Sequence, residues 1–187
     1  MADLRFVAVE TERLIVRPFS EADAEARFEL MREAFGMDWP PEQMARWHQW
    51  TISSYEAFAA MWQPPYGDYA VELKATGALI GAVGIVPAGV PWNALDTPTA
   101  ADTYVSPEYG LFWAVRAAHK GQGYAAEAAR PVITFVFDVL NARRVVATTE
   151  FDNPASQAVM RKLGMTMRRN LSGTPPWCQI VGVIERN

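Results

Sequence analysis

The chain has 187 residues, of which 50% are hydrophobic, and a formal net charge of −4. This length suits one domain with a sizeable core, and the negative charge argues against broad binding to nucleic acid or to anionic membranes. The single cysteine, Cys178, excludes an internal disulfide and a thiol-based metal cluster built from this chain alone.

The first ten residues carry charge from Asp3 onward and contain no apolar segment of the kind found in signal peptides. No later stretch is apolar for the length that a membrane span requires. We therefore expect a cytoplasmic protein with neither a membrane nor a nucleic-acid partner. The oligomeric state does not follow from the sequence, with which a homodimer is compatible.

The first half of the chain predicts a strand, two helices and a hairpin. Residues 11–19 read as the opening strand, which Pro18 ends, and a helix follows with Ser20 as its N-cap, Asp23 in a capping-box position and its end near Gly36. Pro40 and Pro41 predict the start of a second helix that stops before Pro64. Two runs, 69–75 and 78–86, predict an antiparallel hairpin, and residues 87–105 predict a long loop.

The second half predicts a strand, helix, strand, helix order followed by two closing strands. Residues 108–116 form a nearly continuous apolar strand that should be central in the sheet. A helix is predicted for 124–140 with a kink or break at Pro131, and a strand for 143–151. Asn153 as N-cap, Pro154 and Gly164 delimit a short helix, and strands close the chain at 166–171 and 178–185.

The second helix carries a stripe of bulky side chains at spacings of three or four residues. Such stripes usually pack against the core, because large rings bury much area. The alternative is that aromatic residues here line a pocket for a substrate; the candidates are Trp39, Trp47, Trp50 and Tyr55.

A basic glycine turn, HKGQGYA, connects the central strand to the following helix. The free N–H groups and the positive dipole at a helix N-terminus favour phosphate oxygens, so a phosphorylated ligand is expected at this turn. The turn lacks the Gly-Lys-Ser/Thr ending of a P-loop and the GxGxxG spacing of a dinucleotide fingerprint. Neither ATP nor NAD is therefore favoured.

Two motifs together carry a resemblance to a known family. The run WAVRAAHKGQGYAAEAA and, after a helix and the strand VVATTEF, the run DNPASQAVMRKLGM resemble the GNAT superfamily of acyl-CoA-dependent N-acyltransferases, most closely its ribosomal-protein-alanine N-acetyltransferase branch. The resemblance is close over 109–165 and loose over 10–18. It implies an α/β fold with a mixed, mostly antiparallel sheet of about seven strands and about four helices. The parallel crossover would join the fourth and fifth strands, and residues 1–187 would form one domain.

The resemblance also implies where acetyl-CoA binds, with no metal required. The family's turn pattern, Q/R-x-x-G-x-G/A, has Lys at its first position here, and its backbone amides hold the pyrophosphate; the matching residues are Lys120, Gly121, Gln122, Gly123, Tyr124 and Ala125. The free edge of the central strand pairs with the amides of pantetheine; this edge comprises Phe112, Trp113, Ala114 and Val115. Asn153 is expected to contact pantetheine as well as to cap its helix, and Ser156 is expected near the sulfur.

The reaction requires a base and an acid, because an amine with a pKa near 10 must lose a proton and the departing thiolate benefits from gaining one. Many family members use a tyrosine as the acid, and at that place this chain has Ser156, acting directly or through a water. Glu108 and Glu150, at two strand ends, are the candidate bases. Glu108 ranks first, and each could instead be an ordinary solvated or salt-bridged carboxylate.

The sequence thus predicts an N-acetyltransferase that moves an acetyl group from acetyl-CoA to a primary amine by direct attack in a ternary complex. The acceptor would be a protein N-terminus or a small amine. The alternative is a non-catalytic acyl-CoA-binding or regulatory module on the same fold.

Overall fold

The computed structural model describes residues 4–97, 105–172 and 174–186, and these form one eight-stranded sheet with four α-helices. The strands are β1 (Val9–Glu10), β2 (Leu14–Arg17), β3 (Gly67–Leu73), β4 (Ala78–Val90), β5 (Ser106–Val115), β6 (Arg144–Thr149), β7 (Thr166–Arg169) and β8 (Ile180–Glu185). The helices are α1 (Ala24–Phe35), α2 (Pro41–Ala60), α3 (Tyr124–Asp138) and α4 (Pro154–Leu163).

The strand order in the sheet is β1-β2-β3-β4-β5-β6-β8-β7. Neighbours pair antiparallel except β5 and β6, which are parallel and are joined by α3. The predicted mixed α/β fold with one parallel crossover is therefore confirmed. The predicted count of about seven strands missed β1, because its two residues are too few to show a period-two pattern.

Both faces of the sheet are covered. Helices α3 and α4 pack on one face over a core that includes Val83, Leu111 and Val132, and α1 and α2 pack on the other face. Over strands β6 and β8, the sheet is covered instead by Leu95 and Cys178, which lie outside the α-helices and strands. The central strand β5 is thus enclosed between layers, as its apolar sequence predicts.

The predicted helix ends follow their capping residues. Asp23 completes the capping box with Ser20 ahead of α1, and Gly36 ends that helix at a positive φ of 63°. The side chain of Asn153 accepts a hydrogen bond from the backbone N–H of Ser156, and Gly164 ends α4 at φ 80°. Caps act locally, so the sequence was enough to place these ends.

Two local predictions are wrong. Residues 87–90 belong to β4 rather than to a loop, and Pro87 lies opposite Tyr109 of β5. The pairing of β4 with β3 extends only to Ile85, which lies opposite Gly67, the first residue of β3. Residues 87–90 of β4 are therefore paired on one side only, by β5, and this position tolerates a proline that lacks an N–H. The rest of the predicted loop lies partly in 98–104, outside the described residues. At Pro131 the sequence predicts a kink or a local break; α3 continues through that residue, so the break is wrong, and the kink stays a prediction.

Candidate functional site

The central strand leaves one backbone edge free over its second half. Along its whole length β5 pairs with β4, from Ser106 opposite Val90 to Val115 opposite Gly81. Within the described ranges it pairs with β6 only at Tyr109 and Gly110. Alternate residues among the five that follow Gly110 therefore present their backbone N–H and C=O groups on the side of β6 without a described strand to pair with. An extended ligand with amides of its own can use such an edge as an added strand would.

A cavity of about 340 Å³ opens along this edge, between the end of β5, the glycine turn and helix α4. All the residues predicted to bind the cofactor line it except Phe112 and Gln122; those that line it are Trp113, Ala114, Val115, Lys120, Gly121, Gly123, Tyr124, Ala125, Asn153 and Ser156. The structure therefore brings the two sequence motifs together around one cavity, although a helix and a strand separate them in the chain.

The glycine turn has a backbone that other residues would not readily adopt. Gly121 has φ 77° and Gly123 has φ 87°, both in the left-handed region, and Gly123 is the N-cap of α3. A Cβ on Gly123 would lie 3.3 Å from Nζ of Lys162. The turn therefore brings the first N–H groups of α3, which have no partner within the helix, up to the cavity wall.

Basic side chains surround this turn. Lys120, His119 and Lys162 line the cavity, and Arg13 donates a hydrogen bond to the backbone oxygen of Gln122 at 3.2 Å. Arg13 and Lys162 were not among the residues predicted from the sequence to hold phosphate. Lys162 lies within the second motif and could have been chosen there, whereas Arg13 reaches the turn only through the packing of β2 beside α3.

Glu127 fixes the first turn of α3 to the start of β2. Its carboxylate accepts hydrogen bonds from Thr11 Oγ1 at 2.6 Å, from the backbone N–H of Arg13 at 2.8 Å and from Arg13 Nε at 2.7 Å. Burial raises its pKa, but these bonds together outweigh burial and hold the pKa below its usual value. Glu127 is therefore an ionised structural group beside the turn.

Asn153 and Ser156 lie at the N-terminus of α4, on the cavity wall. Asn153 Oδ1 accepts from the Ser156 backbone N–H at 3.0 Å, which confirms the predicted cap. Ser156 lines the same cavity as the free edge of β5. Contact of either side chain with pantetheine stays a prediction.

The two candidate bases lie away from the cavity walls. Trp92 Nε1 donates to Glu108 Oε1 at 2.8 Å, and Arg144 Nε lies 3.9 Å from Glu108 Oε2. Glu108 precedes the point where β5 and β6 still pair, and it lines neither cavity described here. Glu150 follows β6, is partly buried, and its backbone oxygen accepts from the N–H of Asn153 at 3.4 Å.

A second and larger cavity, of about 620 Å³, lies between helices α1 and α2 and strands β3 to β5. Apolar side chains make up most of its wall, among them Met31, Trp47, Trp50, Phe58, Tyr66 and Phe112. Two of the four aromatic residues proposed as pocket-lining, Trp47 and Trp50, are therefore in place. Trp39 packs edge-on against Trp47, and the hydroxyl of Tyr55 donates to the Asp68 backbone oxygen at 2.7 Å.

Among the described residues, Asp68 is the one charged residue that lines this second cavity. Arg27, which is fully buried, donates two hydrogen bonds to its carboxylate, at 2.9 and 3.0 Å. The guanidinium carbon of Arg27 also lies 3.7 Å from the centre of the Trp47 ring. The negative charge of Asp68 is therefore matched by a buried cation directly behind it.

The two cavities share one residue, Phe35, at the C-terminal end of α1. Its ring stacks on that of Phe112, with centroids 5.6 Å apart and an angle of 30° between the planes. Phe112, absent from the first cavity, lines the second. Two compartments therefore meet at this aromatic pair, beside the free edge of β5.

The described residues contain no group of three or more side chains that could hold a metal ion. Over the same ranges, no helix combines the length and apolar character needed to cross a membrane. Cys178 is fully buried, and burial raises the pKa of its thiol, so it is not placed to receive a group from either cavity.

Comparisons with known proteins bear on the family and the fold of the chain. The family model described as an acetyltransferase (GNAT) domain matches residues 13–166. The "Uncharacterized N-acetyltransferase YoaA" of Bacillus subtilis is 30% identical over 192 residues, which cover 96% of this chain and 98% of that protein.

Two solved structures share the fold at lower identity. The ribosomal-protein-S5-alanine acetyltransferase from Vibrio fischeri has a TM-score of 0.68 and 17% identity, with coverage of 97% of this chain and 98% of that one. Mycobacterium smegmatis RimJ in complex with CoA-disulfide has a TM-score of 0.60 and 20% identity, with coverage of 92% and 81%.

Proposed function

The chain belongs to the GNAT family of acetyltransferases and is an acyltransferase, and we propose that it transfers an acetyl group from acetyl-CoA to a primary amine by direct attack in a ternary complex. The observation that carries the proposal is the free edge of β5 beyond Gly110, which lies on the same cavity as the glycine turn and Ser156. The sheet joins strands from Val9 to Glu185, which supports a single domain.

The smaller cavity supplies the groups that an acyl-CoA needs. The N–H groups of the turn and the first turn of α3 suit the pyrophosphate, and Lys120 and Lys162 add positive charge there. The edge from Phe112 to Val115 suits the pantetheine amides. Asn153 and Ser156 then lie at the thiol end, next to the point where β5 and β6 separate.

The chemistry follows from this placement. The amine nitrogen bonds to the thioester carbonyl carbon, the carbon–sulfur bond breaks, and the amine loses one proton while the thiolate gains one. Ser156, or a water bound to it, gives the proton to sulfur. Holding both substrates in one geometry supplies much of the acceleration, since a positioned amine reacts as though at very high concentration.

For the base, the geometry favours Glu150, acting through water, over Glu108. Glu150 follows β6 and is hydrogen-bonded through its backbone to Asn153, at the same end as Ser156. Glu108 is engaged by Trp92 and faces Arg144, where the two strands remain paired. Replacing Glu150 by glutamine should therefore lower kcat/KM for the amine, whereas replacing Glu108 by glutamine should leave it close to that of the wild type.

The acceptor enters from the larger cavity, across the Phe35 and Phe112 pair. The Vibrio fischeri protein is a ribosomal-protein-S5-alanine acetyltransferase, so a protein N-terminus is one candidate acceptor here. A small amine is the other.

The test is thiol release from acetyl-CoA with a panel of amines and peptides, together with the mass of the acetylated product. We expect at least one amine to gain an acetyl group at a rate well above hydrolysis. Tight CoA binding without transfer to any acceptor would instead indicate a non-catalytic acyl-CoA-binding module.

A further inference from the structure

We propose that the acceptor is a small primary amine with an apolar, aromatic or alkyl body that fills the cavity between α1, α2 and β3 to β5. This inference rests on the proposed function and names the substrate class for the same site. Its basis is the chemistry of the cavity wall, the compensation of its one charge, and the position of the cavity beside the acyl-CoA cleft.

The cavity wall presents aliphatic and aromatic surfaces to a ligand, with few polar groups that could bond to it. Trp47, Trp50, Phe58 and Tyr66 line it together with methionine and aliphatic side chains. Burial of apolar ligand surface against such a wall is favourable, whereas a polar group placed there without a partner costs free energy. Methionines allow the wall to adapt to ligands of somewhat different outline.

The charge balance of the wall disfavours several common acetyl acceptors. Among the residues that the structure describes, Asp68 is the one charged residue that lines it, and Arg27 donates a hydrogen bond to each of its carboxylate oxygens. A polyamine or an aminoglycoside would bring a second cation, and an amino acid would bring a carboxylate; among the same described lining residues neither group has an opposite charge to receive it. A monoamine that reacts in its neutral form has neither defect.

The size and position of the cavity also suit a small amine with an apolar body. Its volume of about 620 Å³ lies in the range that drug-sized ligands use. Phe35 belongs to the walls of both cavities, so an amine at that end of the larger cavity faces the acyl-CoA cleft. The apolar body would then extend away from the reacting nitrogen, toward Trp50 and Phe58.

The binding energy of the body should appear as a regular trend. Each methylene buried in such a wall contributes about 0.8 kcal/mol, which corresponds to roughly a fourfold change in kcat/KM. From propylamine to hexylamine, kcat/KM should therefore rise by more than tenfold. Phenylethylamine and tryptamine should be turned over at least tenfold more efficiently than ethanolamine, putrescine or a hydrophilic peptide with an N-terminal alanine.

The experiment measures kcat/KM for this amine panel with the wild type, Trp50→Ala and Trp177→Ala. Both tryptophans are more than half exposed, and Trp177 lines neither cavity, so it serves as the matched control. Trp50→Ala should lower kcat/KM for phenylethylamine roughly tenfold and leave that for ethanolamine unchanged. Trp177→Ala should behave as the wild type with both amines.

A second measurement separates this inference from the proposed function. Binding of phenylethylamine to the CoA-loaded protein is followed by calorimetry, without any turnover. Binding that is weakened by Trp50→Ala supports the acceptor cavity even if no amine is acetylated, in which case the proposed function fails alone. Efficient acetylation of polar amines with no preference for apolar ones, or the absence of phenylethylamine binding, overturns the inference.

Discussion

The rings of Phe35 and Phe112 stack with their centroids 5.6 Å apart, and Phe35 belongs to the walls of both cavities. One residue ends α1 and the other lies in β5, so the pair joins a helix on one face to the strand that separates from β6. A donor bound along β5 and an acceptor bound under α2 would both touch this pair. The relationship makes Phe35 a residue through which the two substrates can influence each other.

Replacing Phe35 by alanine should weaken the binding of both substrates. The ring is 51% exposed, so its loss leaves a small cavity in the fold and costs little stability. Loss of its contacts should raise the Kd of CoA and the KM of the amine by roughly three- to tenfold each. Calorimetry and steady-state kinetics measure the two effects. Trp62→Ala, an exposed aromatic residue outside both cavities, is the control, and a change in only one substrate would contradict the shared-wall interpretation.

Replacing Asn153 should distinguish its capping role from its contact with the cofactor. Asn153→Ala removes the hydrogen bond to the Ser156 N–H and should lower the free energy of unfolding by about 1 kcal/mol. Asn153→Asp keeps the acceptor oxygen, and therefore the cap, but loses the amide donor. We expect both variants to bind CoA more weakly and only Asn153→Ala to unfold more easily, as measured by chemical denaturation and calorimetry. Normal CoA affinity in Asn153→Asp would leave capping as its sole role.

Replacing Ser156 by alanine should lower kcat while leaving CoA affinity nearly unchanged. The backbone N–H that bonds Asn153 is retained, so the helix end should keep its stability. Loss of a proton donor to the thiolate predicts a reduction of roughly a hundredfold, at the lower end for general acid catalysis. Ser53→Ala, on an exposed part of α2, is the control; full turnover in Ser156→Ala would remove the proposed role.

The pH dependence of stability should reflect His48. This side chain is almost fully buried, its Nδ1 lies 3.2 Å from Arg27 Nη1, and its Nε2 lies 3.0 Å from the Ser20 backbone oxygen. Because arginine only donates, Nδ1 accepts and the ring is neutral. Burial lowers the pKa of His48, and Arg27 adds to this effect against the opposing hydrogen bond to Ser20.

The direction in which the free energy of unfolding changes with pH follows from proton binding. Below about pH 6.5 the unfolded chain gains a proton at this position that the folded protein does not take up, so the free energy of unfolding should decrease as the pH falls. The slope can reach about 1.4 kcal/mol per pH unit for one proton. Denaturation between pH 7.5 and 5.5 should show this decrease in the wild type and in His119→Asn, and not in His48→Gln. An equal slope in all three proteins would assign the proton elsewhere.

Much of the fold could be read from local signals. The Ser20 and Asp23 capping box, the Asn153 cap and the stop at Gly164 depend on residues within a few positions of each other, and each was predicted. The errors arose where a distant element decides. Pro87 stays in β4 because β5 pairs beside it and β3 has already ended, which no local pattern around Pro87 reveals.

The candidate site divides in the same way. The glycine turn and the Asn153 cap could be chosen from residue types and spacing, because phosphate binding and helix capping have local requirements, whereas Ser156 was chosen through the resemblance to the family. Arg13 could not be chosen, since it reaches the turn only because β2 packs beside α3, where Arg13 bonds to Glu127 and to the Gln122 backbone oxygen. The position of Glu108 beneath Trp92 likewise depends on a contact that the sequence does not contain.

By itself the sequence determined the order of the elements and most of their ends, because hydrophobic spacing and capping residues act within short segments. It also indicated the family of the chain, through two short motifs that resemble that family. Only the tertiary structure decided that Phe35 stands between two cavities, that Trp47 and Trp50 line the larger one while Trp39 and Tyr55 do not, and that Arg27 neutralises Asp68 at its wall. These features arise where α1, α2 and the sheet pack against one another. That packing, and not the neighbouring residues in the chain, decides which side chains are exposed to a cavity.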